Sequence, residues 1–265
     1  TSCAESAGGW RGAVVGGVAA LSGRLLTNTV DGSLAWSYTY DGVARLTRAV
    51  GSGHDFQYGY AQSGGCGANP AAGQTSNRSS LIDSGVMLAV SCCDHVDRLM
   101  STTQAGYGGA VVYDARGNIA GLAGQMLTYD YAGRHTGTSV PGTSVTYVRD
   151  AADRVVARTE NGVTHRFAYI GAGDASSYAL TVSNMVVDRT ISLPGGVSAN
   201  LAVGVWSYPN VRGDIAATAD ATGVKQGVTV FYDPFGSVVA DAVPDNQAGA
   251  FDNGWVGQHD KRLEH

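Results

Sequence analysis

Lysine and glutamate are almost missing from this chain of 265 residues. Lys occurs only at Lys225 and Lys261, and Glu only at Glu5, Glu160 and Glu264. Both types are good helix formers, whereas Asp, which supplies the other acidic residues, favours turns. Their scarcity argues against a helical fold. Charged residues make up 15% of the chain, below the ~25% of an average soluble domain. The net charge of −5 argues against a nucleic-acid partner. No apolar run reaches the ~18 residues of a membrane-spanning helix. No Gly-x-Ser-x-Gly elbow, His-Glu-x-x-His pair or Walker loop occurs, and the six His are scattered. The expectation is a protein with no catalytic site, no cofactor and no metal.

What is present is glycine (38), tyrosine (13) and a seven-residue phrase that keeps returning. Tyr40-Asp41-Gly42-Val43-Ala44-Arg45-Leu46 is the first full copy. Tyr113-Asp114-Ala115-Arg116-Gly117-Asn118-Ile119 and Tyr129-Asp130-Tyr131-Ala132-Gly133-Arg134-His135 follow. Looser copies start at Cys93, Arg149, Pro209 and Tyr232, and a worn one starts at Ala19. Tyr169 opens a further degraded copy that keeps Gly173. From Asp94 to Asp114 is 20 residues, to Asp130 16 more, and to Asp150 another 20. A period near 20 is too short for a helix pair or a propeller blade. It suits two strands of ~5–6 residues and two turns.

The phrase reads as the turn. Trp36-Ser37-Tyr38-Thr39-Tyr40 alternates into it with the period of a strand. The second-position residues Asp41, Asp94, Asp114, Asp130, Asp150, Asn210 and Asp233 can hydrogen-bond their own backbone two residues on. A three-residue hairpin loop wants a left-handed residue at the fifth position, which Gly117, Gly133, Gly213 and Gly236 supply freely and Asp97 and Asp153 tolerate. Ala44 would sit there with strain. The expected fold is all-β, a spiral of antiparallel hairpins over residues 1–265. A Gly-, Ala- and Ser-rich insertion at 61–80 interrupts it, and residues 171–205 are weakly patterned, with a turn at Leu193-Pro194-Gly195-Gly196.

Tyr38-Thr39-Tyr40-Asp41 with Arg45-Leu46, and Thr128-Tyr129-Asp130 with Gly133-Arg134, resemble the phrase of the Rhs/YD-repeat proteins. Trp206 to Asp214, Tyr232-Asp233-Pro234-Phe235-Gly236 and Gly254-Trp255-Val256-Gly257-Gln258 resemble, in order, the start of the Rhs-associated core. The resemblance covers residues 19–265, with YD repeats over 19–205 and the core from 206. It implies part of a hollow β-shell that encloses a C-terminal toxin in bacterial members, or part of a teneurin-like adhesion receptor in animals. The Arg-over-Lys bias is similar to that of the bacterial branch. The implied partners are the remainder of the core and a toxin domain beyond His265, and the implied place is secreted or at the cell surface. A self-cleaving aspartyl-protease motif of the family would also lie beyond His265. The alternative is an adhesion module that binds cell-surface glycans.

Two side-chain sets remain. Four cysteines, Cys3, Cys66, Cys92 and Cys93, allow three full pairings. A Cys66–Cys92 bridge would pin the insertion to the adjoining strand, and its loop of about 26 residues would contribute ~3 kcal/mol. The other expectation is free, buried thiols. Cys92-Cys93-Asp94-His95 is a poor metal site, because neighbouring strand residues face opposite ways. Trp36, Trp206 and Trp255 are the candidates for stacking on a sugar. The competing role for them is packing across hairpins, which contributes ~0.2–1 kcal/mol per pair.

Overall fold

A computed structural model describes residues 15–30, 33–60, 77–94, 96–210, 212–227 and 229–239. Asp31 and Gly32, Cys3, residues 61–76 of the insertion with Cys66, His95 and Trp255 lie outside the described residues. The chain is all-β. Its strands are β1 (Val15–Ala19), β2 (Leu25–Val30), β3 (Ser33–Tyr40), β4 (Leu46–Gly51), β5 (His54–Gly59), β6 (Ser80–Asp83), β7 (Val86–Cys93), β8 (Leu99–Thr102), β9 (Gly109–Ala110), β10 (Val112–Tyr113) and β11 (Ile119–Leu122). They continue with β12 (Gln125–Tyr129), β13 (His135–Val140), β14 (Thr143–Arg149), β15 (Val155–Glu160), β16 (Val163–Ala168), β17 (Tyr178–Leu180), β18 (Val186–Ser192), β19 (Ser198–Asn200), β20 (Val205–Pro209), β21 (Ile215–Ala219) and β22 (Lys225–Gln226). A single 3-10 turn, Pro194–Gly196, is the one helical element among the described residues.

Strand order equals chain order. β1 to β9 form a nine-stranded sheet and β10 to β22 a thirteen-stranded one. Strands joined by short turns pair antiparallel, the exception being β9 and β10, one residue apart, which belong to different sheets. Two compact units result, one of residues 20–27 and 36–164, the other of 1–19, 28–35 and 165–265. The boundary at 164/165 falls inside β16, whereas the sequence phrases change character at 206.

In the first unit two kinds of turn alternate. The phrase closes one end of each hairpin. A two-residue turn closes the other, at Ser52-Gly53, Ser84-Gly85, Ala123-Gly124 and Asn161-Gly162, with positive φ at both residues of each pair. That backbone hand matches strand twist and needs residues that accept φ > 0. The residue following each phrase is extra to the ladder. Tyr40 pairs with Leu46 but Thr39 with Arg48, so Thr47 is a bulge. Thr136 and Val156 sit in the same way after their own phrases. Each bulge locally increases the right-handed twist.

One face of the first strands is apolar. Trp36 opposes Gly51, and Ala49 lies between Tyr38 and Phe56. Trp36, Ala49, Phe56, Tyr58, Leu81 and Ala89 are buried, with Trp36 only 2% exposed. Its ring stacks on Phe56 with centroids 5.8 Å apart. Trp36 is therefore a packing residue and cannot stack on a sugar, which corrects that expectation. In the second unit Ile215, Val230 and Tyr232 form the core cluster.

The expected copy at Tyr169 is not a phrase turn. Gly171, not Gly173, has positive φ there, and Ser177 N–H donates to the Ala168 carbonyl to close a wider loop. The turn appears instead at Thr181–Met185, where Thr stands for Asp and Asn184 for Gly. Another lies at Asp220–Val224.

Ala44 adopts φ 77°, as the phrase demands. Left-handed backbone costs a non-Gly residue roughly 1–2 kcal/mol, partly offset by the larger unfolded-state freedom of Gly. Ala44→Gly is expected to raise stability by about 0.5–1 kcal/mol and Gly133→Ala to lower it by about as much. The urea midpoint of each variant measures this, and an unchanged midpoint for both would remove strain as the explanation.

Candidate functional site: the row of tyrosine–aspartate turns

The phrases that carry Asp or Asn at the second position build the same small structure. In Asp41–Arg45 the Asp41 N–H donates to the Arg45 carbonyl at 3.0 Å, and the Ala44 N–H to the Asp41 carbonyl at 3.0 Å. Asp41 Oδ1 then accepts the N–H groups of Val43 and Arg45 at 3.1 and 2.9 Å. Its Oδ2 accepts Arg45 Nε at 2.7 Å. One carboxylate thus satisfies the turn's inward N–H groups and holds the cation of its own loop. Asp94 with Arg98, Asp130 with Arg134 and Asp150 with Arg154 repeat the arrangement. Asp114 does so with the Asn118 amide, and Asp233 through the N–H groups of Phe235 and Ser237.

The carboxyls of Asp41, Asp94, Asp114, Asp130 and Asp150 are held toward the ionised form. The Arg45 N–H, helped by its guanidinium and by the Val43 N–H, holds the Asp41 carboxyl below the usual range against the opposing effect of desolvation. Asp130 and Asp150 are lowered first by the N–H of Arg134 and of Arg154. Asp114 is lowered first by the Asn118 side chain. Desolvation pushes Asp94 up most, but the hydrogen bonds from Arg98 and Val96 outweigh it.

Where the phrase opens on Tyr, its turn is then tied to the preceding phrase. The Tyr40 hydroxyl donates to the Leu25 carbonyl at 2.9 Å, and Leu25 is the residue on which the previous phrase ends. Tyr60 donates to Leu46, Tyr113 to Leu99 and Tyr129 to Ile119, at 2.8, 2.8 and 2.9 Å. In the second unit Tyr232 donates to Ile215 at 3.0 Å. Burial raises the pKa of Tyr60, Tyr113, Tyr129 and Tyr232, so these hydroxyls stay protonated as donors. The guanidinium groups of Arg24, Arg45 and Arg98 lie over the rings of Tyr40, Tyr60 and Tyr113 at 5.8, 4.6 and 4.9 Å. Such contacts contribute ~0.5–1 kcal/mol at exposed sites.

Arginine adds a second tie. Arg116 Nη1 donates to the Asp130 carbonyl at 3.1 Å and Arg134 Nη1 to the Asp150 carbonyl at 3.2 Å. Arg212 donates to the Asp233 and Pro234 carbonyls at 3.0 and 2.8 Å while its Nη2 also meets the buried Asp214 at 2.8 Å. Where the phrase has Arg149 in place of Tyr, Arg149 Nε donates to the His135 carbonyl at 3.0 Å. It reaches the carbonyl that a tyrosine would take.

The remaining predicted residues sit apart from this row. Cys92 is disulfide-bonded, and Cys93 is a buried free thiol whose pKa burial raises. Trp206 pairs across the ladder with Ala199 and Ala219 and is half-buried. Among the described residues no cluster of His, Cys, Asp or Glu could hold a metal, and no helix is long and apolar enough to cross a membrane.

One solved structure reaches a TM-score that marks a similar fold, and two more lie just below it. The crystal structure of TcdB2-TccC3-TEV is 14% identical, matching 89% of this chain and 15% of that one with a TM-score of 0.50. TcdB2-TccC3 without its hypervariable C-terminal region is 13% identical, over 85% of this chain and 15% of that one, at 0.49. The Tc holotoxin pore of Photorhabdus luminescens is 13% identical over 85% of this chain and 14% of that one, at 0.48. This chain therefore spans about one seventh of the length of those it matches. No family model matches the chain, and no curated protein is similar to it. At such identities the likeness is one of fold.

Two predictions follow from the geometry. Tyr129→Phe strips the Ile119 carbonyl of its donor and is expected to cost about 1 kcal/mol. Arg149→Ala should cost a similar amount, and Arg149→Tyr should restore most of it. Thermal unfolding of the three variants decides, and equal losses for Arg149→Ala and Arg149→Tyr would show that the donor does not matter. The second concerns acid. Carboxyls whose folded pKa lies below the unfolded value stabilise the fold above pH ~4, and that contribution disappears as pH falls through the folded values. The chain should therefore lose stability below pH ~4, and Asp130→Asn should flatten that part of the pH profile of the denaturation midpoint.

Proposed function

We propose that this chain is a non-catalytic wall segment of an Rhs-type shell, and that the shell encloses and delivers a toxin domain belonging to the same full-length protein. The observation that carries this reading is the tie from a turn to the one before it wherever Tyr, or Arg149, opens the phrase. Hydroxyl and guanidinium donors join successive hairpins through backbone carbonyls. The result is a quasi-one-dimensional array in which each repeat depends on its neighbours. Such an array suits a continuous wall. The similarity of fold to TcdB2-TccC3-TEV supports the same reading, as do the phrases in 206–239 that resemble the Rhs core. On this reading the protein acts outside the cell that makes it, and its partners are the rest of the shell and the enclosed domain.

The test uses the full-length product of the gene that encodes this chain. Limited proteolysis should leave an enclosed C-terminal domain intact until the shell is denatured. The double variant Tyr113→Phe/Tyr129→Phe should make that domain accessible at a lower denaturant concentration. Complete digestion of the domain while the β-repeats remain intact would overturn the proposal.

A further inference from the structure

One strand pass of the first unit is held differently from its neighbours. Residues 109–113 carry both β9 and β10, separated only by Val111. Gly109 and Ala110 pair with Thr102 and Ser101 of β8, whereas Val112 and Tyr113 pair with Gly121 and Ile119 of β11. No residue of this pass has a ladder partner on both sides. In β13, by contrast, Gly137, Thr138 and Ser139 each pair with β12 and with β14.

The connection into the pass is also unlike the others. Residues 105–110 are exposed without a break. Glycine occupies positions 106, 108 and 109, and Gly106 and Gly109 have φ of 79° and 117°. Glycine changes φ and ψ at little steric cost, which suits a hinge. The far side of the pass is firmer. There the Asp114 carboxylate accepts the N–H groups of Arg116 and Asn118 at 2.8 and 2.9 Å, which fixes the turn from β10 to β11. Two further bonds cross from the pass to β8. The Val111 N–H donates to the Met100 carbonyl at 2.9 Å. The Tyr113 hydroxyl donates to the Leu99 carbonyl at 2.8 Å, with the Arg98 guanidinium 4.9 Å from its ring centroid.

We propose that the first sheet opens at the seam between β8 and β9, with Gly106, Gly108 and Gly109 as the hinge and the Tyr113 hydroxyl as the latch. The open form swings β9 off β8 and leaves β10 on β11. The ladder that breaks is short, because the pass shares its length between two neighbours. The bend falls on the exposed glycines and not on the clamped turn. Segments with exposed backbone bonds and little apolar burial open at a lower free energy than the core around them. The inference goes beyond the shell reading and does not rest on it, since it uses only strands of the first unit.

Hydrogen exchange of the full chain, read by mass spectrometry on peptic fragments, tests it. Amides of 99–111 are expected to exchange about tenfold or more faster than those of 135–149. Tyr113→Phe removes the latch and should speed exchange of 99–111 about fivefold further, the worth of one hydrogen bond, with 135–149 unchanged. Gly108→Ala should slow exchange of 99–111 by about twofold to fivefold, because Ala restricts the open chain. The site admits a Cβ, whose nearest atoms would be the Gln104 and Thr102 carbonyl oxygens at 3.9 Å. Equal protection of the two segments, equal acceleration of both by Tyr113→Phe, or a Gly108→Ala chain that exchanges no more slowly than its parent would each overturn the proposal. Should Tyr113→Phe fail to fold by circular dichroism, the parent chain and Gly108→Ala decide.

Discussion

A tyrosine hydroxyl reaching the carbonyl on which the preceding phrase ends is the contact on which this fold depends. A hairpin alone is marginal in water, because it buries little and leaves an edge open. The ladder joins each strand to the next, but it says nothing about whether successive turns hold a fixed offset. The hydroxyl does. Leu25, Leu46, Leu99, Ile119 and Ile215 each present a carbonyl at the same place in their phrase, and each receives a tyrosine. The aspartate supports this indirectly. By collecting the inward N–H groups of its loop, it fixes the path of the chain and so the direction of that carbonyl.

Much of this was legible in the residues. The phrase placed its turns, and its fifth position fixed the sign of φ even where Ala44 makes that costly. The all-β class followed from the shortage of Glu and Lys. The roles of the first and sixth positions were not legible. A tyrosine before a turn reads as an ordinary strand aromatic, and its partner lies in the phrase before, where no local rule looks. The arginine looks like the start of a return strand until its Nε is seen on the aspartate four residues back and its Nη on the following turn. Arg149 is the clearest case. By sequence it is a lapse in the phrase, whereas by hydrogen bonding it is a replacement.

The turns that escaped detection show the limits of a consensus. Thr181–Met185 keeps both backbone hydrogen bonds of the motif while losing Tyr, Asp and Gly. A Thr hydroxyl can do part of the work of a carboxylate, and Asn184 tolerates the left-handed conformation. Ser52-Gly53 and Ala123-Gly124 are weak signals beside Asn161-Gly162, yet all three adopt the same turn. In each case the flanking strands impose the backbone, and the residues need only permit it. Trp36 errs in the other direction. Its type invites a ligand, and its register, opposite Gly51 and beside Phe56, reserves it for the core.

The alternation of two turn kinds in the first unit has a consequence for how such a chain can change its length. A phrase finds its predecessor's carbonyl only if both lie on the same side of the sheet. Between one phrase and the next there must then be an even number of strand passes, with β9 and β10, one residue apart, counting as a single pass. Gaining or losing a single strand would throw the next phrase to the far side, with its tyrosine facing a two-residue turn. Recombination within the gene is thus constrained by parity, and whole hairpins are the smallest pieces that can be copied or dropped without breaking the chain of carbonyl partners.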